Sequence, residues 1–183
     1  TDGQVVAIDG KTLRGSFDAA SSKAPIHMVS AWATANHISL GQVVTDAKSN
    51  EITAIPKLLE MLEIKGCLIT IDAMGCQRKI AQTIIDAEAD YVLAVKENQR
   101  KLYQAIRDYY TEHLEDDCRS IPCRRHETHE KGHGRQDDRY YYMAKLPDDF
   151  PLKEKWPGLK AIGLAVRNTE HTNGKHSDDV RYY

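Results

Sequence analysis

Short apolar strands alternate with amphipathic helical patterns along the first half of this 183-residue chain. Two β-branched runs, Val5–Asp9 and Cys67–Asp72, each end in an aspartate. After each run, apolar residues recur at helical spacing, at 52–62 and at 77–89. Strands joined by helices are expected to be parallel neighbours with right-handed crossovers. The pattern therefore predicts an α/β fold with both aspartates near one edge of the sheet.

Further elements fill in this first part. Two β-rich runs, 26–33 and 37–45, predict a hairpin ahead of the first helix. A third apolar strand is predicted at 91–95 and a helix at 101–113. Pro56 is expected in the first turn of its helix, because proline lacks the backbone N–H that later turns require.

The character of the sequence changes near residue 115, where a densely charged segment begins. Strands are predicted after it, at 140–144 and 160–167. We therefore divide the chain into a core of residues 1–114 and a mostly β insertion or subdomain of residues 115–183.

An aspartate at the end of a strand often caps the turn or helix that follows. For a single aspartate this structural role is favoured over metal binding. Two such aspartates on neighbouring parallel strands shift the balance towards a pair that holds a metal.

Composition sets only broad limits. The formal net charge is −2, so any basic surface that meets nucleic acid must be local. The sequence has no run of eighteen apolar residues and no signal-peptide pattern at its start. Four cysteines without secretion signals fit a reducing compartment, and a cytoplasmic location is expected.

Residues 7–16, which read AIDGKTLRGS, resemble the first catalytic motif of the H-repeat-associated (ISAs-type) transposases. These proteins are a branch of the bacterial insertion-sequence DDE enzymes. The joint order of the similar segments is more specific than any one of them. The other similar segments are 70–77 (TIDAMGCQ), 94–99 (AVKENQ), 133–135 (HGR), 156–159 (WPGL) and 181–183 (RYY).

This resemblance implies a ribonuclease-H-like core, in which helices flank a mixed sheet. It also implies metal-dependent cleavage and strand transfer of DNA at insertion-element ends, with Asp9 and Asp72 as the first two catalytic acids. Two Mg²⁺ or Mn²⁺ ions roughly 3.5–4 Å apart are expected there, and carboxylate oxygens suit such hard cations. DNA and further copies of the chain are the implied partners, because two element ends must be brought together.

The third acid of this family is a glutamate in a segment resembling His-Trp-x-Ile-Glu-Asn, which the 183 residues do not contain. We expect its helix beyond Tyr183, and an incomplete and mostly inactive site in this chain alone. Asp137 is an alternative third ligand, although a structural or DNA-facing role is favoured for it. The alternative functions are a non-catalytic remnant that folds and binds DNA or self-associates, and a structure-selective nuclease.

Polar residues directly after the first and third parallel strands are placed to meet DNA phosphates beside the metals. That edge is where ligands bind in open α/β sheets. The family resemblance adds two residues from the charged segment. The DNA-binding candidates are Lys11, Arg14, Lys96, Asn98, His133 and Arg135.

A cysteine and histidine pattern also lies in the charged segment. Cys118, Cys123, His126 and His129 are residue types that suit tetrahedral zinc. The separation between the two pairs is far shorter than in a zinc finger, so a solvated or DNA-facing surface is favoured.

Overall fold

The computed structural model of the protein describes residues 3–13, 16, 26–45, 51–132 and 134–183. Contacts divide the chain into two compact units. The first comprises Thr1–Leu93 with Trp156–Gly158, and the second comprises Ala94–Lys155 with Leu159–Tyr183.

The first unit is built on a mixed sheet of five strands within the described residues, in the order β3-β2-β1-β4-β5. The central strand β1 pairs in parallel with β4 and antiparallel with β2, and β4 pairs in parallel with β5. The predicted hairpin and the predicted parallel neighbours are both present. The strands are β1 (Val5–Thr12), β2 (His27–Ala33), β3 (Ile38–Thr45), β4 (Leu68–Ile71) and β5 (Asp90–Leu93).

Two helices, α1 (Glu51–Glu60) and α2 (Arg78–Asp86), pack against this sheet. Pro56 is the sixth residue of α1, so its placement in the first turn was wrong. The proline removes one backbone donor from the helix interior, and the buried apolar face of α1 compensates through packing. That face consists of Ala54, Ile55, Leu58 and Leu59.

The two faces of this sheet differ in burial. The helix-facing side chains alternate along the strands with exposed ones, as the two-residue period of a strand requires. On the other face, Asp9 and Lys11 are exposed, and Trp32 and Val44 are 42% and 58% exposed. The buried, helix-facing set includes Val6, Ile8, Val29, Ala31, Ile69 and Ile71.

The second unit contains a four-stranded antiparallel sheet in the order β6-β7-β8-β9. The sequence predicted β7 and β8 but not β6, whose residues are almost all exposed and half of them charged. As an edge strand, β6 has no buried face that would produce an apolar alternation. The strands are β6 (Cys123–Gly132), β7 (Arg135–Lys145), β8 (Ala161–His171) and β9 (His176–Tyr182).

Helix α3 (Arg100–His113) packs against this second sheet. The Tyr110 hydroxyl is buried; it donates to the carbonyl of Ile162 at 2.8 Å and accepts from the N–H of Ala144 at 3.2 Å. The sequence-based division kept this helix with the first part, whereas its contacts assign it to the second unit. Short 3-10 helices occupy Ala73–Gly75, Glu97–Gln99, Leu114–Asp116 and Lys153–Lys155.

The protein is thus of mixed α/β class, with helices flanking a mixed sheet and a β-rich second unit. No helix in the described ranges is both long enough and apolar enough to span a membrane.

Candidate active site

Asp9 lies on β1, and Asp72 is the residue directly after the neighbouring parallel strand β4. Ile8 and Ile71 form the last residue pair of the β1–β4 register, and each aspartate is the next residue along the chain. Side chains that follow the same register pair in a parallel sheet project to the same face. Both aspartates are exposed. The structure therefore has the two carboxylates at one edge of the sheet, as the strand order predicted.

Asp72 also has a structural task. Its Oδ1 accepts a hydrogen bond from the N–H of Met74 at 3.1 Å and caps the 3-10 helix Ala73–Gly75. This is the capping role that the sequence left open for such an aspartate. An ionised carboxylate has about four acceptor sites, so the cap leaves room for a cation on the same group.

Glu51, which the sequence reasoning did not consider, lies on the helix-facing side of β1, whereas Asp9 projects to the other face. It is the first residue of α1, and its carboxylate lies against Gly10, the residue after Asp9. A Cβ on Gly10 would lie 2.7 Å from Oε2 of Glu51 and would overlap Oε1. Partial burial raises the pKa of Glu51, and the carboxylates of Asp72 and Asp9 raise it further.

A second glycine allows α1 to approach the end of β4. A Cβ on Gly75 would overlap the side chain of Ile71 and would lie 3.1 Å from Cδ1 of Ile55. Ile55 lies one turn after Glu51 on the same side of α1. The first turn of α1 therefore packs on the short helix that Asp72 caps. The only sequence signal for the contact of Glu51 with Gly10 was a glutamate in the first turn of the helix after the hairpin.

The residues at this edge fit a hard divalent cation. Their donors are the carboxylate oxygens of Asp9 and Asp72, which Mg²⁺ and Mn²⁺ prefer. In the described part of the chain, no three His, Cys, Asp or Glu side chains form a ready-made metal cluster. A closed cage is not required for Mg²⁺, because this ion keeps several of its waters.

The DNA-binding candidates near Asp9 are only partly described. Lys11 lies two residues after Asp9 on β1 and is exposed, so strand alternation places it on the same face. Arg14 and His133 fall outside the described residues.

The other DNA-binding candidates belong to the second unit. Lys96 and Asn98 are exposed and flank the start of the 3-10 helix Glu97–Gln99. Arg135 is the first residue of β7, and its Nε lies 3.2 Å from Oδ2 of Asp137.

Asp137 is 3% exposed and sits among protein donors. Thr169 donates its hydroxyl to Oδ1 at 2.7 Å, and Arg139 donates to Oδ2 at 3.0 Å. The hydrogen bond from Thr169, followed by the charges of Arg135 and Arg139, lowers the pKa of Asp137 despite burial. These contacts favour a structural role over the alternative of a third metal ligand.

The cysteine and histidine candidates have separate partners. Nδ1 of His129 lies 2.8 Å from Oδ1 of Asp138, and the ring of His126 stacks on Tyr141 with 6.1 Å between centroids. Cys118 is buried, and burial raises the pKa of its thiol to about 11. Within the ranges that the structure covers, these residues do not form a metal-binding group with Cys123.

An arginine-lined pocket lies on one face of β7, β8 and β9 and was not predicted. Its arginines are mostly compensated by acids: Nε of Arg181 lies 2.9 Å from Asp179, and Nη1 of Arg139 lies 2.7 Å from Glu130. This pairing leaves little free positive charge for phosphates. The polar lining residues are Arg139, Tyr141, Arg167, Asp179, Arg181 and Tyr183.

Comparison with known proteins identifies the family. The family model described as "Transposase DDE domain" matches residues 1–179. The putative transposase YncI of Escherichia coli O157:H7 is 45% identical over all of this chain and 47% of its own length. The H repeat-associated putative transposase YhhI of Escherichia coli K12 is 42% identical over all of this chain and 48% of its own length.

The chain thus spans about half the length of these curated relatives. A piggyBac transposase, solved as a synaptic complex with hairpin DNA, is 11% identical with a TM-score of 0.42. That alignment covers all of this chain and 33% of the piggyBac chain, a likeness too low to carry an argument. The family model and the H-repeat-associated relatives together show that this chain belongs to the transposase DDE domain family.

Proposed function

We propose that the protein acts in DNA transposition, cleaving phosphodiester bonds and transferring strands at the ends of an insertion element. The observation that supports this most directly is the placement of Asp9 and Asp72 one residue beyond the Ile8–Ile71 pair. In a member of the transposase DDE family, two carboxylates on adjacent parallel strands are suited to hold Mg²⁺ or Mn²⁺.

Different residues of the chain would have different roles in this reaction. Asp9 and Asp72 hold the cations, and Lys11 faces a DNA phosphate from the same strand and face as Asp9. The bound cations would activate the attacking oxygen and stabilise the leaving one. The capped turn after Asp72 keeps that carboxylate oriented, since Met74 fixes one of its oxygens.

We extend this proposal to the fold, the partners and location of the protein, the third acid and the remaining DNA-binding residues. The strand order β3-β2-β1-β4-β5 with its hairpin supports a ribonuclease-H-like core. We further propose DNA and other copies of the chain as partners, the cytoplasm as location, and a third acid in a segment that follows Tyr183 in the family. The remaining DNA-binding candidates are Arg14, Lys96, Asn98, His133 and Arg135.

The test is an assay of donor cleavage and strand joining with the full-length gene product and matched element ends. Asp9→Asn and Asp72→Asn are expected to abolish both steps while folding normally, and Asp148→Asn serves as an exposed control. Full activity in either variant would overturn the proposal. Cutting without joining would identify a nuclease on the same fold.

A second candidate is a transposase-derived protein that folds and binds DNA or self-associates without chemistry. Two observations favour it: Asp72 already serves as a cap, and the described residues contain no ready-made three-ligand metal group. Folded wild-type protein that binds DNA but never cleaves it would support this candidate over the first.

A further inference from the structure

We propose that the open face of the second unit's sheet binds a single strand of DNA, with an unpaired base stacked on the ring of Tyr141. The open face consists of the side chains of β6, β7, β8 and β9 that project away from α3. It lies outside the proposed metal site, and only the choice of DNA over RNA rests on the proposed function.

The two faces of this sheet differ in burial. The face towards α3 carries buried side chains, among them Ile162 and Leu164. The registers from β6 to β9 are continuous, so the alternate residues of the four strands form the open face. On it, Tyr141 and Met143 are 40% and 48% exposed. A partner can therefore reach this face.

Basic residues are concentrated on the open face. Six basic residues stand there against three acids, whereas the same strands carry two basic residues and four acids on the face towards α3, histidines not counted. Because the chain as a whole has a formal net charge of −2, this is a local positive surface of the kind that suits a nucleic-acid backbone. The six basic residues are Arg124, Arg135, Arg139, Lys145, Arg167 and Arg181.

The acids of the open face lie in its middle and hold the arginines there. Glu130 pairs with Arg139, Asp137 pairs with Arg135 and Arg139, and Asp179 pairs with Arg167 and Arg181. At the margin, Arg124 and Lys145 are exposed, and Arg124 makes no ion pair with any described residue. The positive charge that phosphates can use is therefore at the margin.

Tyr141 and His126 form an aromatic pair between the margin and the middle. They are cross-strand partners, and their rings are inclined by 27° with 6.1 Å between centroids. Exposed rings beside positive charge are typical of proteins that bind single strands, because every base has a face that can stack. The bases of a duplex stack on one another, so a single strand fits this surface better.

The arginine-lined pocket adjoins this aromatic pair, since Tyr141 is one of its lining residues. Arginine N–H groups and the Asp179 carboxylate supply donors and an acceptor, and the edge of a base also carries both. Nε of Arg167, in the same lining, is buried and has no hydrogen-bond partner among the described residues. A buried donor without a partner is costly, and an acceptor on a bound base would satisfy it.

The competing explanation is that these side chains only stabilise the sheet. Cross-strand aromatic pairs and opposite charges commonly do so. That role predicts an effect of Tyr141 on unfolding, and no effect on the affinity for nucleic acid. Affinity and stability must therefore be measured on the same variants.

The experiment is a titration of labelled oligothymidylate with the whole chain, followed by fluorescence anisotropy in the absence of divalent cations. Tyr141→Ala is expected to weaken binding roughly fivefold or more, because the stacking of a base is lost. Tyr141→Phe keeps the ring and should bind like wild type. Val180→Ala, at an exposed position on the face towards α3, is the control. Thermal melting by circular dichroism checks that each variant is folded.

A charge variant tests the margin of the open face. Arg124→Gln should weaken binding and reduce the slope of log affinity against log salt by about 0.7, the loss of one phosphate contact on a single strand. Lys131→Gln removes the same charge from the other face of β6 and should leave the slope unchanged.

Photocrosslinking tests the same contact without any substitution. Oligothymidylate that contains 5-iododeoxyuridine should crosslink to the wild-type chain at Tyr141 or His126, as mass spectrometry would show. Crosslinks at other residues alone would overturn the proposal.

The titrations have equally clear outcomes. Tyr141→Ala and Arg124→Gln that bind like their controls would overturn the proposal, and an equal loss for duplex DNA would contradict base stacking. Tighter binding of oligouridylate would overturn the assignment to DNA. None of these outcomes bears on Asp9 and Asp72, because divalent cations are absent.

Discussion

Asp9 and Asp72 each directly follow a member of the Ile8–Ile71 pair, which is the last pair in the parallel register of β1 and β4. This register puts both side chains on the same face of the sheet. Asp72 also caps the 3-10 helix Ala73–Gly75, and substitutions at Asp72 can separate this capping role from metal binding.

Asp72→Asn and Asp72→Ala are expected to behave differently. Asparagine keeps an oxygen for the N–H of Met74, so the variant should melt within a degree or two of wild type. Alanine loses the cap and should cost about 1 kcal/mol of unfolding free energy. Both variants should lose Mn²⁺ binding. Chemical denaturation with a parallel Mn²⁺ titration measures both, and intact binding in the asparagine variant would leave Asp72 with only its cap.

Tyr110→Phe is expected to destabilise the second unit by about 1–3 kcal/mol, because the buried N–H of Ala144 and carbonyl of Ile162 lose their partner. Tyr103→Phe is the control, since this ring packs edge-on to Tyr182 and its hydroxyl makes no hydrogen bond with any described residue. Urea denaturation gives both values. Equal stability of the two variants would contradict the role of the Tyr110 hydroxyl.

Asp137→Asn is expected to lower the melting temperature and to leave Mn²⁺ affinity unchanged. The pKa of Asp137 is lowered in the folded protein, chiefly by the hydrogen bond from Thr169. Its stabilising contribution is therefore present above the ordinary aspartate pKa and is lost as the pH falls through the lowered value. Melting curves between neutral and acidic pH should show the difference from wild type shrinking. Weakened Mn²⁺ binding would instead support Asp137 as a metal ligand.

His129 is expected to titrate above the ordinary histidine pKa of about 6.5, because it shares a hydrogen bond with Asp138. Its contribution to stability is complete below the unfolded pKa and is lost as the pH rises through the raised value. Nuclear magnetic resonance of the imidazole protons measures this directly. In Asp138→Asn the pKa of His129 should fall back, and an unchanged value would contradict the pairing.

The hairpin and the parallel pairing of β1 with β4 were predictable from local patterns. A buried strand in a parallel sheet is a continuous apolar run, so Val5–Asp9 and Cys67–Asp72 stood out, and parallel pairing placed their ends together. Pro56 was misplaced because tertiary packing of α1 outweighs the cost of an interior proline. Strand β6 was missed because an exposed edge strand has no apolar alternation.

The contact between Glu51 and Gly10 could not be predicted in this way, because it depends on residues distant in sequence. Its carboxylate lies over Gly10, and Ile55, one turn further along α1, packs on Gly75. Nothing within α1 alone distinguishes such a glutamate from an ordinary first-turn acid. The assignment of α3 to the second unit similarly depends on the contacts of Tyr110 with β7 and β8.

The measurement that tests the central claim most directly is anomalous diffraction from crystals of the protein soaked in Mn²⁺. We predict a peak at roughly 2.0–2.3 Å from carboxylate oxygens of both Asp9 and Asp72. Full Mn²⁺ occupancy at another site, with neither aspartate in contact with the ion, would contradict the account.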